Sequence, residues 1–143
     1  MAEGSKQIGK LSLVVASGSF EKVHYALVMA SGAAAIGIPV TMFFTMGACV
    51  AVLGGAGWHD LDCDVAGMSA KHRDEDFAEK GVATMDELLD SCAELGVTFM
   101  VCEMGLRAEG VEDRAPRAGL DLPRTGIVTF LNDADPAGSI VYV

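Results

Sequence analysis

The residue with the clearest chemical potential is Cys102, which directly follows a short apolar run. Residues Val97 to Val101 are rich in β-branched and aromatic side chains, and Gly96 and Gly105 flank the segment. This pattern is typical of a strand buried on both faces of a parallel sheet. Cys102 would then lie at the carboxyl end of that strand, where open α/β sheets place their chemistry. We expect a helix to begin just beyond it, with N-terminal amides that favour a thiolate able to act as a nucleophile or to carry a transferable group.

Charged residues near Cys102 support two interpretations. Four of the five arginines follow it closely: Arg107, Arg114, Arg117 and Arg124. They form either a solvated surface with salt bridges or a cationic collar that stabilises the sulfur anion or docks an acidic partner. The candidate supporting residues for Cys102 are Arg107, Glu103, Met104, Cys49 and His24.

Sulfur-containing side chains are predicted at the ends of two strands. Met46 and Cys49 follow the second predicted strand, and Cys102 and Met104 surround the end of the third. If these strands are neighbours, the four side chains converge at one edge of the sheet. They then fill gaps in a packed core, form a polarizable pocket for sulfane sulfur, or bind Cu(I). Cys49 is in addition either a resolving thiol for Cys102 or a buried helix residue.

Two further features near the first predicted helix give weaker signals. His24 lies in that helix and is either a surface or core histidine or a proton donor near the thiol. The turn of Ser17, Gly18 and Ser19 offers backbone N–H groups to an anion at the N-terminus of the same helix. Such turns are common, so the turn alone identifies no ligand.

The cysteine and histidine spacing predicts no metal centre. The four cysteines show no CxxC pair and no zinc pattern: Cys49, Cys63, Cys92 and Cys102. Without a secretory signal, they are expected to be reduced thiols of a cytoplasmic protein. The segment His59 to Asp64, together with His72, contains metal-capable side chains, but their spacing matches no known site. We therefore predict neither a metal nor a cofactor.

Charge and hydropathy exclude two classes of partner. The formal net charge is -10, which argues against binding to nucleic acid or to an anionic membrane surface. No Asp, Glu, Lys or Arg occurs from Val23 to His59, but Gly37 to Pro39 interrupt this stretch. About fifteen apolar residues remain on each side, fewer than the ~20 that span a bilayer. We expect no stable membrane insertion.

The chain alternates between predicted strands and helices. Strands are expected at 11–16, 39–44, 97–101, 120–122 and 139–143. Helices are expected near 21–36, 46–53, 73–80, 85–95, 104–110 and 126–134, with Thr84 capping the fourth and Thr125 the last. The alternation predicts an α/β fold, a three-layer α/β/α sandwich around a mainly parallel five-stranded sheet, flavodoxin-like in outline. One domain is expected over 1–143, with a flexible tail at 1–9 and a surface excursion at 58–80.

Three segments resemble the DsrE/DsrF/DsrH-like proteins of bacterial sulfur relay. The resemblance covers nearly the whole chain and rests on Leu11 to Phe44, Glu94 to Val111 (ELGVTFMVCEMGLRAEGV) and Thr125 to Val143. In that family these segments form a strand with the first helix, a strand ending in the reactive cysteine, and a closing helix and strand. The resemblance implies that Cys102 accepts sulfur as a persulfide and passes it on. It also implies a homo-oligomer, a trimer or a hexamer.

These observations lead to one functional prediction and two alternatives. We expect a small sulfurtransferase-like carrier that exchanges sulfane sulfur with donor and acceptor proteins. The first alternative is a non-catalytic oligomeric binding or scaffold module whose cysteines are simply packed. The second is a binder of a soft metal or small anion at the sulfur-rich edge. The excursion at 58–80 departs from the family pattern and leaves the donor and acceptor undefined.

Overall fold

A computed structural model describes residues 7–143 of the chain, so residues 1–6 of the predicted tail lie outside the described part. Its strands are β1 (Leu11–Val15), β2 (Val40–Phe44), β3 (Thr98–Cys102), β4 (Arg124–Thr125) and β5 (Ser139–Tyr142). Its helices are α1 (Phe20–Ala35), α2 (Ala70–Glu79), α3 (Met85–Glu94), α4 (Glu103–Ala108) and α5 (Ile127–Asp133). Two 3₁₀ segments occupy Met46–Val52 and Gly57–Asp60. The strands form one sheet in the order β4-β3-β2-β1-β5 with all neighbours parallel, which confirms the predicted α/β fold.

Helices cover the two faces of the sheet unequally. Side chains alternate along a strand, so Met42 and Phe44 of β2 point to one face, where a large core forms with α1 and α3. Phe43 of β2 and Cys102 of β3 point to the other face, where they pack with Phe130 of α5. We call the first the thick face and the second the thin face. The three-layer arrangement is therefore present, with layers of unequal size.

Local sequence signals explain the helices of the thick face. Helix α1 begins after Ser19, whose hydroxyl accepts a hydrogen bond from the Lys22 N–H and satisfies one free amide of the first turn. Helix α3 begins with the predicted capping box, in which Thr84 and Glu87 each accept the other's backbone N–H. These caps fix where each helix begins and therefore which of its sides meets the sheet.

A single short helix covers the thin face. Phe130 of α5 is fully buried against Phe43, with ring centroids 5.2 Å apart. The last residue of the helix, Asp133, accepts hydrogen bonds at Oδ2 from Lys10 Nζ and from Thr41 Oγ1, both at 2.7 Å. Burial raises the pKa of this carboxyl, but the hydrogen bonds from Lys10 and Thr41 outweigh burial and hold it below its usual value. The carboxylate therefore ties the end of α5 to the sheet.

Two predictions for the C-terminal third are wrong. The fourth strand is Arg124–Thr125 and not 120–122, because pairing with β3 begins only after Pro123, whose carbonyl accepts the Val101 N–H. Leu122 is buried, but its backbone does not pair with a strand. Thr125 belongs to this strand and does not cap α5. The capping position is Gly126, which has no side chain with which to accept a capping hydrogen bond.

The predicted excursion at 58–80 folds back onto the thick-face core. Trp58, Leu61 and Ala70 are buried there, and α2 begins at Ala70, three residues before the predicted start. Asp74 of α2 accepts a hydrogen bond from the Met85 N–H at 2.7 Å, which joins α2 to the start of α3. The segment therefore contributes to the core as well as to the surface.

The stretch without charged residues divides into short elements. It contains most of α1, all of β2 and the first 3₁₀ segment. Over residues 7–143, none of the helices combines the length and the apolar character that crossing a bilayer requires.

Candidate functional site

Cys102 lies at the carboxyl edge of the sheet, on the thin face. It is the last residue of β3 and also the N-cap of α4, and its Sγ accepts a hydrogen bond from the Gly105 N–H at 3.3 Å. Only 4% of the residue is exposed, but it lines two surface cavities of about 360 and 300 Å³. Cys102 therefore borders surface cavities, although nearly all of the residue is buried.

The first cavity brings together three of the predicted supporting residues. Glu103, Met104 and Arg107 of α4 line it beside Cys102, and the facing wall is residues 126–129 at the start of α5. Arg107 is largely exposed, and its Nε lies 3.8 Å from a carboxylate oxygen of Glu112. An exposed ion pair of this length contributes little energy, so the guanidinium is free to turn towards a ligand.

The second cavity contains two methionines beside the thiol. Met46 and Met104 line it together with Cys102, as the convergence of the strand ends predicted. Its walls are otherwise mainly apolar and include Phe43 and Ile127. Cys49, the fourth sulfur residue of the predicted cluster, does not line it.

A close backbone approach fixes the position of the thiol relative to Met46. A Cβ atom on Gly105 would lie 2.6 Å from the Met46 nitrogen and 2.7 Å from Thr45 Oγ1, so only glycine allows this contact. Met46 itself has a φ of 47°, a left-handed conformation that costs a methionine about 1 kcal/mol or more. Strained backbone of this kind is concentrated at functional sites. Sequence reasoning missed Gly105, although a glycine within a predicted helix is a signal of close packing.

The other three cysteines lie in different environments. Cys49 and Cys92 are fully buried in the thick-face core, and burial raises the pKa of each thiol to about 12. A thiolate at Cys102 adds to the shift at Cys49. Cys63 is half-buried and donates a hydrogen bond to a Glu21 carboxylate oxygen at 3.3 Å. Burial raises the pKa of Cys63, and the hydrogen bond to Glu21 raises it further.

His24 is not close to the thiol cavities. It is buried on α1, its ring packs against Phe20 and Phe77, and its Nε2 lies 2.7 Å from the Ala83 carbonyl oxygen. It does not line either cavity beside Cys102. The structure therefore places it as a core histidine of the thick face.

Two of the three N–H groups of the predicted anion-binding turn donate hydrogen bonds within the protein. The Ser17 N–H donates to the Val143 carbonyl, and the Ser19 N–H donates to Ser17 Oγ. The Gly18 carbonyl accepts the N–H of Asp62, so the turn is joined to the excursion. We therefore do not include this turn in the candidate site.

Three of the arginines that follow Cys102 do not reach its cavities. Arg114 pairs with Asp60, Arg117 pairs with Asp86 and Asp90, and Arg124 donates to two backbone carbonyls. Arg117 also lines a separate cavity of about 400 Å³ next to Trp58, which contains no thiol. Only Arg107 among the predicted cationic collar lines a cavity with Cys102.

No cluster of conventional metal ligands is present in the described part of the chain. Within residues 7–143, no three or more His, Cys, Asp or Glu side chains come together as a metal ion would require. Thioether sulfurs are a different class of ligand, and two of them line the cavity beside Cys102.

The parallel sheet and its helices define an α/β protein with a DsrE-like fold. The structure is similar to the crystal structure of the YchN protein from E. coli, which has a DsrE/DsrF-like fold. The TM-score is 0.55 at 12% sequence identity, and the similarity covers 94% of this chain and 99% of that chain. No family model and no curated protein matches the sequence. At this identity, the similarity shows the fold alone.

Proposed function

We propose that the protein is a DsrE-like sulfur carrier that holds sulfane sulfur as a persulfide on Cys102 and transfers it to a partner protein. The observation that supports this most directly is the position of the thiol. Cys102 lies at the carboxyl edge of the sheet and lines surface cavities, whereas Cys49 and Cys92 are enclosed in the core. The DsrE-like fold agrees with a role in sulfur relay.

The chemistry consists of two thiol exchange steps. The Cys102 thiolate attacks the outer sulfur of a donor persulfide; the new S–S bond forms as the donor's S–S bond breaks, and the donor thiolate leaves. An acceptor thiolate then attacks the terminal sulfur on Cys102. The terminal sulfur passes to the acceptor, and the Cys102 sulfur leaves as a thiolate. Neither step needs an oxidant or a reductant. The Gly105 N–H orients the Cys102 sulfur, and the mainly apolar cavity walls limit access of water and competing reductants.

Intact-mass measurement tests this proposal. The reduced protein is incubated with a small-molecule persulfide, and the mass of the folded chain is recorded before and after treatment with excess thiol. The wild type should gain the mass of one sulfur atom and lose it to the thiol, while Cys102→Ser should gain none. Cys63→Ser is the matched control and should load like the wild type, because Cys63 lies outside both cavities. Equal loading of wild type and Cys102→Ser would reject the proposal.

We further propose that the chain forms a homo-oligomer through the thin face. Apolar side chains are exposed on α5 and on β5 at this face: Val128, Leu131, Ile140 and Tyr142. Exposed apolar patches of this kind mark interaction surfaces in proteins. Leu131 and Ile140 do not line the Cys102 cavities, whereas Val128 lines the first and Tyr142 the second, so the proposed interface borders the thiol site.

Light scattering coupled to size exclusion measures the assembly. The wild type should elute as a trimer or hexamer at micromolar concentration, and Leu131→Glu combined with Ile140→Lys should elute as a monomer. A matched double substitution on the thick side, Lys71→Glu with Glu79→Lys on α2, should leave the mass unchanged. A monomeric wild type would contradict the proposal.

A further inference from the structure

The second cavity beside Cys102 has a composition that sulfur transfer does not require. Two thioether side chains, from Met46 and Met104, line it together with the thiol. Both methionines are exposed, Met46 by 37% and Met104 by 58%, so neither is needed to fill the core.

The backbone holds the three sulfur-bearing residues around one glycine. Cys102 Sγ accepts the Gly105 N–H at 3.3 Å, and Met104 is the residue immediately before that glycine. On its other side, the Gly105 backbone lies so close to Met46 that a Cβ atom would be 2.6 Å from the Met46 nitrogen. The thiol and both methionines therefore converge at a single point of the sheet edge. Each methionine has flexible torsions with which its sulfur can turn into the cavity.

We propose that this cavity binds one Cu(I) ion through the Cys102 thiolate and the thioethers of Met46 and Met104. Thiolate and thioether sulfurs are soft ligands that select Cu(I) over harder divalent ions. The cavity is lined by neither a carboxylate nor an imidazole, so Zn²⁺, Mg²⁺ and Ca²⁺ find few of their usual ligands there.

Charge balance also favours a monovalent ion. Binding displaces the thiol proton to solvent, and a sulfur–copper bond replaces the S–H bond without oxidation or reduction of either atom. A thiolate and Cu(I) together are neutral, and the two thioethers add no charge. A neutral group can lie against apolar walls such as Phe43 and Ile127, whereas a net charge there would be costly.

Bound Cu(I) and a persulfide sulfur would occupy the same atom, Cys102 Sγ. Copper loading therefore blocks sulfur loading, and each ligand excludes the other. The inference does not depend on the sulfur-carrier proposal, because the metal site needs only the three sulfur ligands and the cavity.

Anaerobic competition with bicinchoninate, a coloured Cu(I) chelator, tests the site. Reduced wild type should withhold one Cu(I) per chain from the chelator, and Cys102→Ser should withhold none. Met46→Leu combined with Met104→Leu should weaken binding by roughly tenfold or more, since ligand-shell changes commonly cost that much affinity. Iodoacetamide should still alkylate Cys102 in the double methionine variant, which separates loss of the metal site from loss of an accessible thiol.

A second double variant provides the matched control. Cys63→Ser combined with Met68→Leu removes one thiol and one thioether from the excursion and should bind Cu(I) like the wild type. Circular dichroism and urea unfolding verify that each variant folds. A wild type that yields all its copper to the chelator overturns the proposal. So does a double methionine variant with unchanged affinity, because the thiol alone would then account for binding.

Discussion

The two faces of the sheet differ in how completely helices enclose them. On the thick face, α1 and α3 and the folded excursion bury a continuous core that includes Phe20, Leu27 and Phe44. On the thin face, α5 alone covers the centre, and Phe130 is its fully buried side chain. The outer side of α5 leaves Val128 and Leu131 exposed.

This difference separates cysteines that look equivalent in the sequence. Cys49 and Cys92 point into the thick face, where burial raises their pKa to about 12. Cys102 points to the thin face, where the helix layer ends and the residue borders surface cavities. The comparison teaches that coverage by helices, and not residue type, decides which cysteine borders a surface cavity.

Alkylation kinetics should show the largest contrast between the faces. At pH 8, a thiol with a pKa of about 12 is ionised in on the order of one molecule in ten thousand. Iodoacetamide should therefore modify Cys102 while Cys49 and Cys92 stay unmodified, as peptide mapping by mass spectrometry would show. In guanidinium chloride all four cysteines should react. Modification of Cys49 or Cys92 at the rate of Cys102 in the folded protein would remove the contrast.

Gly105→Ala should disturb the close contact between α4 and the residues that follow β2, Thr45 and Met46. The new Cβ would lie within 2.7 Å of two atoms of Thr45 and Met46, so the backbone must shift at a cost of about 1–3 kcal/mol. Urea unfolding measures the loss, and alkylation of Cys102 reports the displaced thiol.

Gly32→Ala is the matched control for that substitution. Gly32 lies in α1, and a Cβ there meets no atom within 4 Å. Alanine should stabilise the helix by up to about 1 kcal/mol. Opposite signs for the two glycines are expected; equal effects would show that α4 does not depend on the close contact.

Asp133→Asn should loosen the thin face by a smaller amount. The carboxylate accepts hydrogen bonds from Lys10 and Thr41, and loss of the charge should cost about 1–2 kcal/mol at pH 7. Because the pKa of Asp133 is lower in the folded chain, this contribution is fully present above the ordinary carboxyl pKa of about 4 and fades as the pH falls through the folded value.

Urea midpoints of wild type and variant at several pH values check this dependence. The two curves should converge below about pH 4. Asp90→Asn, in an exposed pair with Arg117, is the control and should change stability little at any pH. If the difference in urea midpoint between Asp133→Asn and wild type stays constant at acidic pH, the predicted link between Asp133 ionisation and stability is wrong.

Much of the fold follows from the sequence because strong local signals coincide with its elements. Apolar runs mark β1, β2 and β3, and the capping box at Thr84 marks the start of α3. Strand β4 has no such signal: only Arg124 and Thr125 pair with β3, and neither is apolar. The strand was predicted at 120–122 because Leu120 and Leu122 are apolar; Leu122 is indeed buried, but burial of a side chain does not require strand pairing.

The candidate site was accessible to prediction only in part. The convergence of Met46, Cys102 and Met104 followed from the rule that parallel strands end at one edge of a sheet. The wall supplied by α5 and the contact at Gly105 depend on how distant segments meet, which local pattern does not encode. Whether Cys102 carries sulfur stays a prediction.

Helix α4 spans the boundary between the two cores with only six residues. Its Leu106 is inserted into the thick-face core, while the residue that caps it, Cys102, belongs to the thin face. A volume change deep in the first core would tilt this short helix and move the sulfur with it. Mutations far from Cys102 are therefore a route by which evolution or an engineer adjusts the position of its sulfur.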